Sequence, residues 1–198
     1  MAFRGEQLRV IRLLRNLNQR ELADQVALSA ASISLYENNQ GEPDAEVVDA
    51  LCDVLHVTPP VFWAETVQLD DSRPNFRSQR ATSQRLQNRI RAHVTLLASW
   101  VRHIQSTVRL PSYDVPVIRA ATPDQIEAAA ERCRERWGLG QGPIRQVVRV
   151  LENAGVIITE IEDDARQIDA FSTFDGEPRI VALGTAKGSP SRTVASAR

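Results

Sequence analysis

The chain has only two cysteines, Cys52 and Cys133, and no CxxC spacing. That excludes a disulfide framework and fits a reducing compartment. No apolar run approaches the roughly 18 residues that a membrane-spanning helix needs. The start, MAFRGEQLRVIRLL, has neither an apolar h-region nor a small-residue cleavage site, so a cytoplasmic location is expected. Lysine is almost missing: arginine supplies 23 of the 24 basic residues and Lys187 the other. That bias fits GC-rich coding better than a chemical demand. Histidine is scarce as well, with His56, His93 and His103 alone. No HExxH occurs, and His93 and His103 fall on nearly opposite faces of one expected helix. No metal pair, cofactor or catalytic residue is therefore expected. Repeats of solenoid length are also absent.

What is present is ordinary globular composition: 42% hydrophobic and 25% charged residues over 198 positions, enough for one large or two small cores. The net charge of −1 conceals three blocks. Residues 1 to 66 hold 5 Arg against 10 Asp and Glu. Residues 72 to 110 hold 8 Arg and no acid, and residues 111 to 198 hold 11 basic against 13 acidic side chains. Such asymmetry points to a modular chain with an electrostatically specialised middle.

Hydrophobic spacing divides the chain into elements. Leu8, Ile11 and Leu14 share one helical face, with Leu17 at its edge. Asn18 followed by Glu21 is a capping-box pattern for a second helix running to about Val26. After a turn at Ala27 and Leu28, Ser29 caps a third helix reaching Glu37 or Asn38, closed by Asn38, Asn39 and Gly41. Pro43 is expected to start a fourth helix, and Pro59-Pro60 a short fifth. Residues 67–77 are polar, contain Pro74 and read as a linker. Residues 78 to 109 lack Gly and Pro and read as one long helix. Leu86, Ile90, Val94, Leu97, Val101, Ile104 and Val108 form a heptad-like stripe on it. The stripe is expected to pack on its own domain; a homodimer seam is the alternative. A helix from Thr122 to about Trp137 follows, then one opened by Pro143 and closed by Gly155. VIITEIE, AFSTF and PRIVAL read as three strands, the last two a hairpin through DGEP. Residues 185–198 read as an unstructured tail.

Two short helices around a tight turn are the layout of a helix-turn-helix. Ala23 supplies the small residue where the pair crosses, and Leu22, Val26, Leu28 and Ile33 supply the buried sides. Ala27 is a costly choice if its backbone is left-handed, by roughly 1 kcal/mol against Gly. The stretch NQRELADQVALSAASISLYENNQGEPDAEVVDALCDVL resembles the Cro/C1 (XRE-type) domain, similar to lambda repressors. The anchors are Gln19, Glu21, Leu22, Ala23, Ser29, Ile33, Ser34, Glu37, Pro43, Leu51 and Leu55. Ala27 and Asn39 stand where the family prefers Gly. The resemblance covers about residues 5 to 66 and implies a five-helix bundle over 1–66 that binds double-stranded DNA. It implies a phosphate contact from Gln19, helped by the helix dipole, base edges faced by Ala30, Ala31, Ser32, Ser34 and Leu35, and a DNA-binding role for Arg20, Ser29 and Asn38 as well. It also implies an Arg12–Glu37 ion pair that holds the recognition helix at its angle. Hydroxyls and methyls without bidentate readers imply modest sequence selectivity.

The arginines at 73, 77, 80, 85, 89 and 91 leave two readings: an auxiliary phosphate-binding arm, or a solvated face that partners the acidic fourth helix. Further on, FRSQRATSQRLQNRIRAHVTLLASWV, RLPSYDVP, GLGQGPI, the Leu151–Val156 segment, DAFS and the PRIVAL strand resemble the front half of an ImmA/IrrE-type domain. That likeness implies an α+β, zincin-like domain over 78–184. In the family an HExxH helix follows the last strand, whereas here the chain continues as SPSRTVASAR. Truncation or a frameshift near Ser191 explains this, as does a shortened chain, and the strands are expected to expose an apolar face. The chain as a whole is expected to be mainly α with a small β part and to act as a non-enzymatic DNA-binding regulator. The alternatives are a fragment of a zinc metallopeptidase regulator, or an antitoxin-type module that binds DNA and a protein partner through its C-terminal region.

Overall fold

Capping and apolar spacing place the first helices where the sequence puts them. The structure, a computed structural model, describes residues 2–67, 75–77, 83–116, 122–162, 170–173 and 178–185. Helix α1 spans Gly5–Leu14 and buries Leu8, Val10 and Ile11. Helix α2 spans Gln19–Gln25 under a reciprocal Asn18–Glu21 capping box. Helix α3 spans Ala30–Glu37 and is capped by the Ser29 hydroxyl, which accepts from the Ser32 N–H at 3.0 Å. Helix α4 spans Ala45–Leu55. It starts two positions after the expected Pro43, because the Asp44 carboxylate accepts the Val47 N–H and thereby fixes the N-cap at 44. A 3₁₀ turn at Pro59–Trp63 closes the bundle. Phe3, Leu8, Leu22, Ile33, Leu51, Leu55 and Phe62 form its core. Each such large side chain contributes roughly 1.5–3 kcal/mol of burial.

Two close joints set the bundle's geometry. A Cβ at Gly5 would stand 2.0 Å from the Tyr36 carbonyl oxygen, so only glycine lets α1 meet the end of α3. The Arg15 guanidinium donates to the carbonyls of Leu55 (2.7 Å) and His56 (3.2 Å), which satisfies the open end of α4.

The remainder is built around one long helix. Helix α5 spans Gln84–Gln105, capped by Ser83. It ends before the expected residue 109, in a turn where Thr107 and Val108 N–H groups both return to the Ile104 carbonyl. Strand β1 (Asn75–Arg77) lies inside the stretch expected to be linker, so the sheet has four strands rather than three. With β2 at Ile157–Glu162, β3 at Ala170–Ser172 and β4 at Ile180–Thr185, the order is β1-β3-β4-β2. The β1–β3 and β3–β4 pairs are antiparallel and β2–β4 is parallel. The expected hairpin pairing of the last two strands is therefore present, while residues 174–177 of its turn lie outside the described residues.

Helix α5 covers one face of the sheet: Ile90, Val94 and Ala98 pack with Ile161, Phe171, Ile180 and Ala182. Val181 and Leu183 alternate to the other face and are half-buried. Another side of α5 lies along α1, where Ala92 and Thr95 share a groove with Val10 and Leu13. The heptad stripe thus splits, with Ile90, Val94 and Val101 buried while Ile104 and Val108 are exposed.

Helix α6 (Pro123–Arg136) starts on a Thr122–Gln125 capping box and is held at its end by an Arg136–Asp114 ion pair. Helix α7 spans Val147–Asn153, four residues after the expected start at Pro143, and its N-cap Gln146 makes no side-chain cap bond. Gly155 closes it at φ 80, where a Cβ would stand 2.6 Å from the Ser112 backbone. The expected tail lies outside the described residues from 186 onward.

Candidate nucleic-acid interface

The expected readers all lie on or beside α2 and α3. Ser29, Ala30, Ala31, Leu35, Asn38 and Arg20 are exposed, whereas Gln19, Ser32 and Ser34 are partly exposed. Between them α3 buries Ile33 and Glu37, so its apolar anchor and its outward face are distinct. The outward face carries no charge. Ser32 and Ser29 hydroxyls lie 2.8 Å apart, and the Asn38 amide donates to the Ser34 carbonyl at 2.8 Å. A hydroxyl offers one donor and two acceptor sites, so both serines retain capacity for a further partner.

Behind that face lies a buried polar network. Arg12 donates through Nε to Glu37 Oε1 at 2.5 Å and through Nη2 to Oε2 at 2.8 Å. Its Nη1 donates to the Leu17 carbonyl at 2.8 Å. The Gln19 amide adds a fourth bond, donating to Glu37 Oε2 at 2.8 Å. Both charged side chains are almost fully buried, at 6% and 2% exposure. Fork-to-fork geometry with saturated lone pairs is what allows such a pair to persist out of water. The network joins α1, the α1–α2 turn, the start of α2 and the end of α3. Gln19 thereby commits one amide N–H inward, which leaves its other N–H and its carbonyl for an external partner.

The two residues that depart from the family pattern follow opposite physics. Ala27 takes φ 55, the strained left-handed backbone its position demands, as Leu28 N–H returns to the Ala23 carbonyl. Asn39 takes φ 56 as well, but its side chain does what glycine cannot. Its Oδ1 accepts the Gly5 N–H at 2.7 Å and its Nδ2 donates to Glu6 at 2.8 Å, so it caps α1 from the end of α3.

One of the arginines of the basic stretch finds a partner that was not expected. Arg85, on α5, donates to Asn16 Oδ1 at 3.0 Å and to both Glu21 carboxylate oxygens at 3.2 Å, and also to the Asn16 carbonyl. Its partner is therefore the capping box of α2 and not the acidic α4. The Asn18 N–H bond holds the Glu21 carboxyl below its ordinary range, and Arg85 lowers it further. Composition marks the basic stretch, but nothing in the sequence pairs position 85 with position 21. Arg73 and Arg80 lie outside the described residues. Among the described residues no group of three or more His, Cys, Asp or Glu is placed to hold a metal ion, and no helix is long and apolar enough to cross a membrane.

A helix-turn-helix family model matches residues 8–62. No curated protein matches the chain. Among solved structures, the chain is similar to the restriction-modification controller protein C.AhdI from Aeromonas hydrophila. The identity is 24%, over 29% of this chain and 88% of that one, with a TM-score of 0.29. Residues 8–62 thus match a helix-turn-helix domain.

Proposed function

We propose that the chain is a DNA-binding transcriptional regulator whose α3 enters the major groove. Ala30, Ala31 and Leu35 would meet thymine methyls, and Ser32 and Ser34 would hydrogen-bond base edges. Gln19, Arg20, Ser29 and Asn38 would contact the backbone on either side. The observation that carries this reading is the uncharged, outward face of α3, held at a fixed angle by the buried Arg12–Glu37–Gln19 network. Such a face lacks the bidentate pairs worth about 1–3 kcal/mol each, so selectivity is modest and leans on DNA shape. Competition of a selected operator against random duplex tests this. Discrimination beyond several thousandfold would overturn modest selectivity, and no duplex binding at all would overturn the function.

The region from 78 to 184 is read as an incomplete ImmA/IrrE-like domain with a regulatory role. Its long helix on a mixed sheet supports that reading. A second reading, contact with another protein chain through this region, is favoured by Trp100 and Val108, which are 64% and 51% exposed on or just past α5. Sedimentation of the full chain tests it: a monomer at all concentrations would remove self-association from consideration.

A further inference from the structure

An open cleft of about 610 Å³ lies where α1, the α1–α2 turn, the end of α3 and the start of α5 meet. Arg9, Asn18, Gln19, Asn38, Arg85 and Asn88 line it. Gln19 and Asn38 are the helix-turn-helix residues expected beside the DNA backbone. Arg85 and Asn88 come from outside the matched residues 8–62.

Charge decides what the cleft can hold. Two acids stand at or beside it, Glu37 and Glu21, and each is met by an arginine. Arg12 saturates Glu37 from within the helix-turn-helix, while Arg85 meets Glu21 from α5. Glu21 is not dispensable, because its carboxylate accepts the Asn18 N–H at 2.6 Å and completes the α2 cap. Left alone, that carboxylate would repel a phosphate approaching Gln19. With both acids neutralised, the exposed Arg9, which has no ion-pair partner among the described residues, leaves the cleft net positive. The asparagine side chains supply the neutral N–H donors that phosphate oxygens accept.

We propose that α5 completes the phosphate-binding edge of the helix-turn-helix: the cleft takes a backbone phosphate of duplex DNA, with Asn88 facing that phosphate and Arg85 cancelling the Glu21 charge. The inference rests on the DNA-binding reading and adds a contact surface beyond the helix-turn-helix itself. Arg85 is a positioning residue, acting through Glu21.

The test uses the full chain and a fluorescent random-sequence duplex, with affinity read by anisotropy across a salt series. Arg85→Gln is expected to weaken binding about fivefold to tenfold by unmasking Glu21, and Glu21→Gln in the same chain to restore it to within about twofold. Glutamine at that position still completes a capping box, so the rescue leaves the helix intact. Asn88→Asp is expected to weaken binding about tenfold, because it places a like charge against the phosphate. Unchanged affinity in Asn88→Asp would show that DNA does not pass there and would overturn the surface, even if Arg85→Gln failed to fold. Failure of Glu21→Gln to rescue would overturn the charge-cancelling role of Arg85. If the wild-type chain binds no duplex, the DNA-binding reading itself falls, a result distinct from either of these.

Discussion

At the scale of single residues, the strained and the buried positions carry the sharpest consequences. Ala27 holds a left-handed backbone without a compensating side-chain bond. Ala27→Gly should raise stability by roughly 1 kcal/mol, seen as a higher urea midpoint with an unchanged slope. Asn39 holds a nearly equal angle, yet Asn39→Gly should not stabilise, since it removes the cap on Gly5. Both were legible in the sequence as departures from glycine. Only the structure separates them, because the Gly5 N–H that Asn39 satisfies lies 34 positions away in the chain. The Arg12–Glu37 pair was also readable, since the resemblance placed it. Glu37→Gln leaves Arg12 buried without its counter-charge and should cost about 3–5 kcal/mol, measured by denaturant unfolding.

At the scale of elements, capping chemistry made the helix starts legible and weaker punctuation did not. Asn18, Ser29 and Thr122 sit at the expected N-caps, each accepting a backbone N–H three residues on. Proline alone was a poorer guide: neither Pro43 nor Pro143 opens its helix, because an accepting side chain at Asp44 outweighs a preset φ in one case. The short strand Asn75–Arg77 escaped notice because three residues beside a proline carry no alternation to read. Helix α5 supplies a pH test. Burial lowers the His93 imidazole below its ordinary pKa of 6.5, with Arg89 acting in the same direction. A lowered pKa keeps the folded-state ring neutral while the unfolded chain takes up a proton. Stability is therefore full above pH 6.5 and declines as pH falls below it. His93→Gln should flatten that decline in urea titrations below pH 6.5; an unaltered slope would place its origin elsewhere.

At the scale of the whole molecule, the expected picture was two modules on a linker, and the observed one has a shared beam. Helix α5 lies against α1 on one side and beneath the sheet on another. Periodicity revealed its sheet-facing stripe because those residues are large and apolar. The α1-facing side, with Asn88, Ala92 and Thr95, is small or polar and carries no such signal. Charge blocks indicated a specialised middle, and the Arg85–Glu21 contact shows one place where that middle meets the acidic N-terminal module. Whether the module is a DNA reader turns on α3. Ser32→Glu with Ser34→Glu puts two carboxylates on its outward face and leaves buried Ile33 and Glu37 untouched. The most direct measurement compares duplex binding by this variant and the wild type, with matched unfolding curves as the control. The account predicts duplex binding by the wild type, its loss in the variant and an intact fold. Equal binding by both proteins would contradict it.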